Sequence, residues 1–202
     1  MSRKTWIYII FFGILFAGFY IFLYATIDRS QSSLPVLNNV RPFTFTRQDN
    51  QPVSLEDIAG KVCVVEYFFT TCKGICPRLN RNMKKVADAY KSENNLLILS
   101  HTVDPLTDTV GRMKRYSDSI GADIHHWWFL TGTKENLYKA ARESYILDDP
   151  HNNSLNIDEQ FLHTQFFALV DKKSRVRGIY DGLKEDEIQK LFTDIDDLLK
   201  EK

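Results

Sequence analysis

No charged residue occurs from Trp6 to Ile27, where Ile, Phe, Leu and Tyr dominate. As a helix at about 1.5 Å per residue this run would reach roughly 33 Å, enough to cross a bilayer. Trp6 and Tyr8 at one end, and Tyr20 and Tyr24 at the other, suit the two interfaces. A polar stretch follows, residues 28–40, read as a tether. Beyond it the pattern changes to short apolar runs alternating with helical spacings. Phe43–Thr46 alternates like a strand that turns over Gln48–Gln51, and Ser54 is placed to cap a short helical turn ending at Gly60. Val62–Phe69 is almost continuously apolar and β-rich, as expected of a strand covered on both faces.

A helix follows, with Leu79, Met83, Val86, Ala87 and Tyr90 on one face. Leu96–Val103 reads as the next strand, and Val110, Met113, Tyr116 and Ile120 mark a second helix. Trp127–Leu130 reads as a strand, and Leu137, Ala140, Ala141 and Tyr145 mark a third helix. After a polar segment, 148–160, Phe161–Val170 and Val176–Tyr180 form a predicted hairpin. A last helix carries Ile188, Leu191, Phe192, Ile195, Leu198 and Leu199 on one face. Alternation first and a hairpin last predict an α/β domain, a thioredoxin-like mixed sheet flanked by helices.

Charge fixes an orientation for the apolar run. Arg3 and Lys4 precede it, which keeps residues 1–5 in the cytoplasm and places residues 41–202 outside as one domain. The run exceeds the apolar core of a cleaved signal peptide and has no clean Ala-x-Ala site, so an uncleaved single-pass anchor over residues 6–27 is expected. That places the chain in the inner membrane with its domain periplasmic. The chain holds 26 basic and 26 acidic residues, a balance without the footprint of a nucleic-acid binder.

Three cysteines are too few and too odd in number for a disulfide-stapled scaffold. Cys72 and Cys76 lie between the central strand and the helix after it, in Phe69-Thr70-Thr71-Cys72-Lys73-Gly74-Ile75-Cys76-Pro77. A helix N-terminus favours thiolates. Four residues apart, the pair can close a disulfide or chelate a soft metal, with copper(I) favoured by sulfur. A structural disulfide and a structural zinc site are the competing readings, and zinc lacks a second close pair. Cys63 reads as a small buried hydrophobe, and Glu66 has no explanation in the strand pattern. Of five histidines, His101 near a strand end and His163 after the polar segment are both placed to complete a site, and periodicity does not choose between them. Asp104 before Pro105 reads as a helix cap that can reach the cysteine loop. Arg78, Arg81, Lys84 and Lys85 form a solvated basic flank able to guide an acidic partner.

The cysteine run resembles the Phe-Thr-x-Cys-x-x-x-Cys-Pro motif of the Sco/SenC family of copper-binding cytochrome c oxidase assembly proteins. Val103-Asp104-Pro105-Leu106-Thr107-Asp108 is similar to the family's Val-Asp-Pro-x-x-Asp, and Leu130-Thr131-Gly132 to its Leu-Thr-Gly. His163 stands ahead of an apolar strand ending at Val170-Asp171, as the family's ligand histidine does. The resemblance implies a thioredoxin-like fold, copper held by Cys72, Cys76 and His163, and Asp104 as a supporting residue. It implies a copper-binding oxidase subunit as partner. It also prefers His163 to His101. Lys73 and Thr107 depart from the family's usual proline and arginine. Two functions follow: copper chaperone to the dinuclear copper site, or thiol-disulfide oxidoreductase acting through Cys72 and Cys76 on the oxidase subunit or another exported partner. A redox-sensing module ranks below both.

Overall fold

The computed structural model describes residues 2–26, 34–149 and 156–201, in two units. The first contains one helix, α1 (Arg3–Thr26). Its window Arg3–Phe22 has a mean hydropathy of 2.1, long and apolar enough to cross a membrane. Helix-wide apolarity with no buried face is what lipid, rather than a protein core, would cover.

The second unit is built on an eight-stranded mixed sheet. In chain order its strands are β1 (Asn38–Asn39), β2 (Thr44–Arg47), β3 (Pro52–Ser54), β4 (Val62–Phe68), β5 (Leu96–Thr102), β6 (Trp127–Thr131), β7 (Phe166–Val170) and β8 (Arg175–Asp181). Their spatial order is β1-β8-β7-β4-β5-β6-β2-β3. β4, β5 and β6 are parallel neighbours, and every other pairing is antiparallel. The helices are α2 (Cys76–Ala89), α3 (Val110–Ser119), α4 (Lys134–Lys139) and α5 (Glu185–Lys200). This is the thioredoxin-like arrangement that the element order predicts.

Alternation along β4 explains both cores. Val62, Val64 and Phe68 pack with Met83 of α2, Met113 of α3 and Ile188 of α5. Cys63, Val65 and Tyr67 pack on the other face with Tyr138 of α4 and Tyr145. All seven residues of β4 are buried, so a solvent face with regular polar positions is absent. The β2–β3 hairpin turns where expected, with Asn50 at φ 67°.

Several sequence expectations shift. Ser54 does not cap a helical turn: it lies in β3, and its amide and hydroxyl both donate to Asp57 Oδ2. The third helix is α4 followed by a π turn, Ala140–Ser144, which keeps Ala140, Ala141 and Tyr145 buried. The hairpin strand begins at Phe166 rather than Phe161. Residues 161–165 are held outside the ladder, where Leu162 N–H donates to the Tyr138 hydroxyl and Gln165 O accepts from Gly182 N–H. The last residues of the expected tether run along the sheet edge, since Asn38 and Asn39 pair with Val176 and Arg175. A register irregularity at Leu169/Val170 leaves Arg177 buried, donating to Asp171 Oδ2 and to the Leu34 carbonyl.

Candidate metal and redox centre

Loops that leave the C-terminal ends of parallel strands share one edge of the sheet, and ligand sites favour that edge. β4 delivers the cysteine loop there and β5 delivers the Val103–Thr109 loop. The segment ahead of β7 returns to the same edge because β7 runs antiparallel to β4. Together they line a cleft of about 490 Å³ whose walls include Tyr67, Phe69, Cys72, Cys76, Val103 and His163.

Cys76 opens α2, followed by Pro77 in the first turn, where a missing N–H breaks no helical bond. Ile75 precedes the helix without a side-chain cap. The Cys72 sulfur takes that place, accepting the Cys76 amide at 3.4 Å. Both cysteines are free thiols, Cys72 half-buried and Cys76 only 4% exposed. Their environments separate them. Burial pushes Cys72 up, but hydrogen bonds from the Cys76 thiol and from the amides of Cys76, Gly74 and Ile75 outweigh it, leaving Cys72 below the ordinary cysteine value. Burial pushes Cys76 up to about 12, reinforced by sharing its proton with Cys72 and by the charges of Cys72 and Glu66. Cys72 is therefore the more acidic of the two thiols, and Cys76 the one that holds its proton more tightly.

His163 is exposed on the 161–165 loop, its ring 4.8 Å from that of Phe161. It lines the cleft with both cysteines, but among the described residues no three Cys, His, Asp or Glu side chains stand close enough together to hold an ion. Two sulfurs and an imidazole facing one cleft are a donor set suited to a soft metal. Bringing the imidazole to the sulfurs requires movement of a loop that no ladder restrains. His101 takes the opposite role. It is fully buried, 5.1 Å ring to ring from both Phe45 and Tyr67 and 5.3 Å from Tyr145. Burial lowers its pKa to about 3, and neither ring nitrogen has a hydrogen-bond partner. It is a neutral core residue outside the cleft.

Asp104 does not line the cleft either, and it caps a turn rather than a helix: its carboxylate accepts the Thr107 amide at 3.3 Å, and α3 starts only at Val110. The residue that reaches the cysteine loop is Asp108. Its buried carboxylate accepts from the Thr70 amide at 3.1 Å, from the Thr70 hydroxyl, and from the Thr102 hydroxyl at 2.7 Å. Arg112 Nε in turn donates to Thr70 Oγ1 at 2.6 Å. The signal for Asp108 was already in the Val103–Asp108 run, as a second carboxylate four residues after the first. An Asp108→Ala chain strands one amide and two hydroxyls, with an expected cost of about 3 kcal/mol. At this size that lowers Tm by roughly 6–12 °C. Thermal unfolding of the reduced chain checks it, and a fall below about 2 °C would deny the carboxylate this role.

Glu66, unexplained by strand pattern, is buried on the face that carries Cys76 and Tyr116. Ser100 donates its hydroxyl to Glu66 Oε1 at 2.5 Å, and Trp127 Nε1 donates to Ser100 at 2.7 Å. Burial, partly offset by the Ser100 bond, raises the Glu66 pKa to about 7. Cys63 is also fully buried, and burial pushes its thiol up to about 12, which keeps it protonated and unreactive.

Known proteins share this framework. The SCO1 homologue of Bacillus subtilis is 30% identical over 165 residues, 80% of this chain and 83% of its own. A Stutzerimonas stutzeri protein named as a putative copper-binding protein is 28% identical over 165 residues, 80% of this chain and 79% of its own. The structure of BsSco, described as a Sco-family cytochrome c oxidase assembly protein with a disulfide switch, superposes with a TM-score of 0.70 at 28% identity, covering 83% of this chain and 98% of that one. The SCO1/SenC family model matches residues 33–200, the whole α/β domain with its cysteine cleft, and the chain belongs to the SCO1/SenC family.

Proposed function

We propose that this chain is a membrane-anchored copper carrier that takes the ion as cargo on Cys72, Cys76 and His163 and delivers it to the dinuclear copper site of cytochrome c oxidase. The observation that carries the reading is the single cleft lined by all three side chains. The names of the relatives support it: one is a putative copper-binding protein, and another belongs to a family of oxidase assembly proteins. The apolar helix α1 supplies the anchor, with the N-terminus inside and the domain outside. Few donors at an exposed edge, one of them on a loop free of the ladder, suit a site that must also release its cargo.

The unequal thiols favour a second reading, thiol-disulfide exchange on a partner. The Cys72 thiolate attacks one sulfur of the partner disulfide, and the partner's other sulfur leaves as a thiolate that takes up a proton. Cys76 then loses its proton and attacks Cys72, releasing the partner's second thiol. The partner gains two electrons and two protons, and this chain ends as the Cys72–Cys76 disulfide. Cys76 as the resolving group is consistent with its buried, protonated state.

The two readings part at His163. Anaerobic copper titration of the full chain in detergent is expected to give one copper per chain. His163→Ala is expected to weaken the affinity by at least about tenfold. Unchanged copper retention in the Cys72, Cys76 and His163 alanine variants would reject the carrier. A His163→Ala chain that loses copper yet fully supports oxidase assembly in cells would favour disulfide exchange.

A further inference from the structure

The cysteine cleft has a surround that neither copper binding nor disulfide exchange requires. From Cys72 to Lys85 the chain carries five basic residues and no acidic one, although the whole chain is balanced. Lys84 and Lys85 are paired, to Asp88 and Glu185. Lys73, Arg78 and Arg81 are exposed, and no carboxylate pairs with any of them among the described residues. Arg78 and Arg81 are three residues apart on α2 and so share one stripe of the helix, which begins at Cys76.

The same edge exposes large apolar side chains. Ile75 lies between Cys72 and Cys76 just ahead of α2, Phe161 is 42% exposed beside His163, and Leu106 is 88% exposed in the turn after β5. The cysteine cleft, which Ile75 also lines, has apolar walls from Tyr67, Phe68, Phe69, Val103 and Leu162. A soluble domain gains no stability from such an arrangement, and apolar patches with a polar rim mark interaction sites.

We propose that this edge docks an acidic segment of a partner protein that inserts an apolar side chain, aromatic or large aliphatic, into the cleft while its carboxylates meet Lys73, Arg78 and Arg81. The proposal rests on the reading above that the cysteines serve a partner, and it states the chemistry of the segment that presents the acceptor sulfurs. Charge complementarity selects the acidic sequence and speeds encounter, and the cleft provides the holding contact. A concave pocket flanked by cations fits a protein side chain better than a lipid surface, which would call for a projecting apolar face.

The test needs neither copper nor sulfur chemistry, so it can fail independently of the proposed function. The full chain is placed in phosphatidylcholine nanodiscs. Fluorescent peptides carry serine in place of the acceptor cysteines, one central Phe, and either three Glu or three Lys in the flanks. At low salt the acidic peptide is expected to associate at least about tenfold faster than the basic one, and the advantage should fade at high salt. Arg78→Glu/Arg81→Glu should reverse the preference. Replacing the peptide's Phe by Ser should speed dissociation about tenfold. Equal association of the two peptides, a preference that survives Arg78→Glu/Arg81→Glu, or dissociation indifferent to Phe overturns the proposal. So does displacement of the acidic peptide by phosphatidylglycerol vesicles, which would make an anionic membrane the occupant.

Discussion

A Cys76→Ser chain is expected to lose copper affinity by more than the roughly 100-fold that removal of an outer-shell partner can cost. Serine keeps the size and the hydrogen-bonding capacity of the side chain but replaces a soft sulfur with a hard oxygen, which copper(I) disfavours. Fold is not at stake: Pro77 and the Ile75 carbonyl, which accepts from the amides of Arg78 and Leu79, still begin α2. Competition against a copper(I) chelator under anaerobic conditions measures the loss. The same variant separates the two chemical roles. Cys72 keeps its sulfur and is expected to attack a disulfide partner, but nothing resolves the product, so a mixed disulfide accumulates and is visible by mass spectrometry. Copper affinity within tenfold of the parent would remove Cys76 from the ligand set. Absence of a trapped adduct with any reducible partner would remove it from exchange.

Stability is expected to be nearly flat between pH 4.5 and 6.5, because two buried groups one strand apart cancel. Glu66 holds its proton in the folded chain up to about pH 7, whereas the unfolded chain releases it near 4.5. Rising pH therefore favours unfolding across that window, by about 1.4 kcal/mol per pH unit and some 3 kcal/mol in all. His101 stays neutral in the folded chain down to about pH 3, whereas the unfolded chain takes up a proton near 6.5. Falling pH favours unfolding across that range, with the same slope and about 5 kcal/mol in all. Where the ranges overlap, the slopes oppose. Glu66→Gln should therefore uncover a stability that climbs with pH up to 6.5, and His101→Phe one that declines from 4.5 to 7. Urea unfolding at half-unit pH steps decides. Parallel profiles for parent and both variants would show that neither group titrates as its burial demands.

Most of the sheet could be read from the chain because its strands are buried on both faces. Val62–Phe68 announces itself as a near-continuous apolar run, and Leu96–Thr102 through its opening Leu96-Leu97-Ile98-Leu99. The helices of the first half show their inward faces in the 3-4 spacing of Leu79, Met83, Val86 and of Met113, Tyr116, Ile120. The cysteine pair was legible because strand-to-helix junctions at that edge collect ligand sites. What could not be read depends on distant backbone. His101 and His163 both sit at strand ends in sequence, and only the packing of Phe45, Tyr67 and Tyr145 around one of them excludes it from the cleft. Phe161–Gln165 has strand composition but lies outside the β7–β8 ladder, since the Tyr138 hydroxyl claims the Leu162 amide and only Gln165 reaches across, to Gly182. Asp104 and Asp108 are equivalent in a linear motif. The turn between them gives the first carboxylate to Thr107 and the second to Thr70. Glu66 needed Ser100 and Trp127, each from a different strand, before its place made sense.

The third sulfur has a quieter consequence. Cys63 is sealed in β4, paired with Leu97 of β5 and Val170 of β7. An oxidant therefore meets the two sulfurs that line the cleft, Cys72 and Cys76, and not the third. Scrambled crosslinks and covalent dimers through the odd cysteine are closed off as long as the sheet stays intact, and every oxidising equivalent that the domain accepts is directed to the pair.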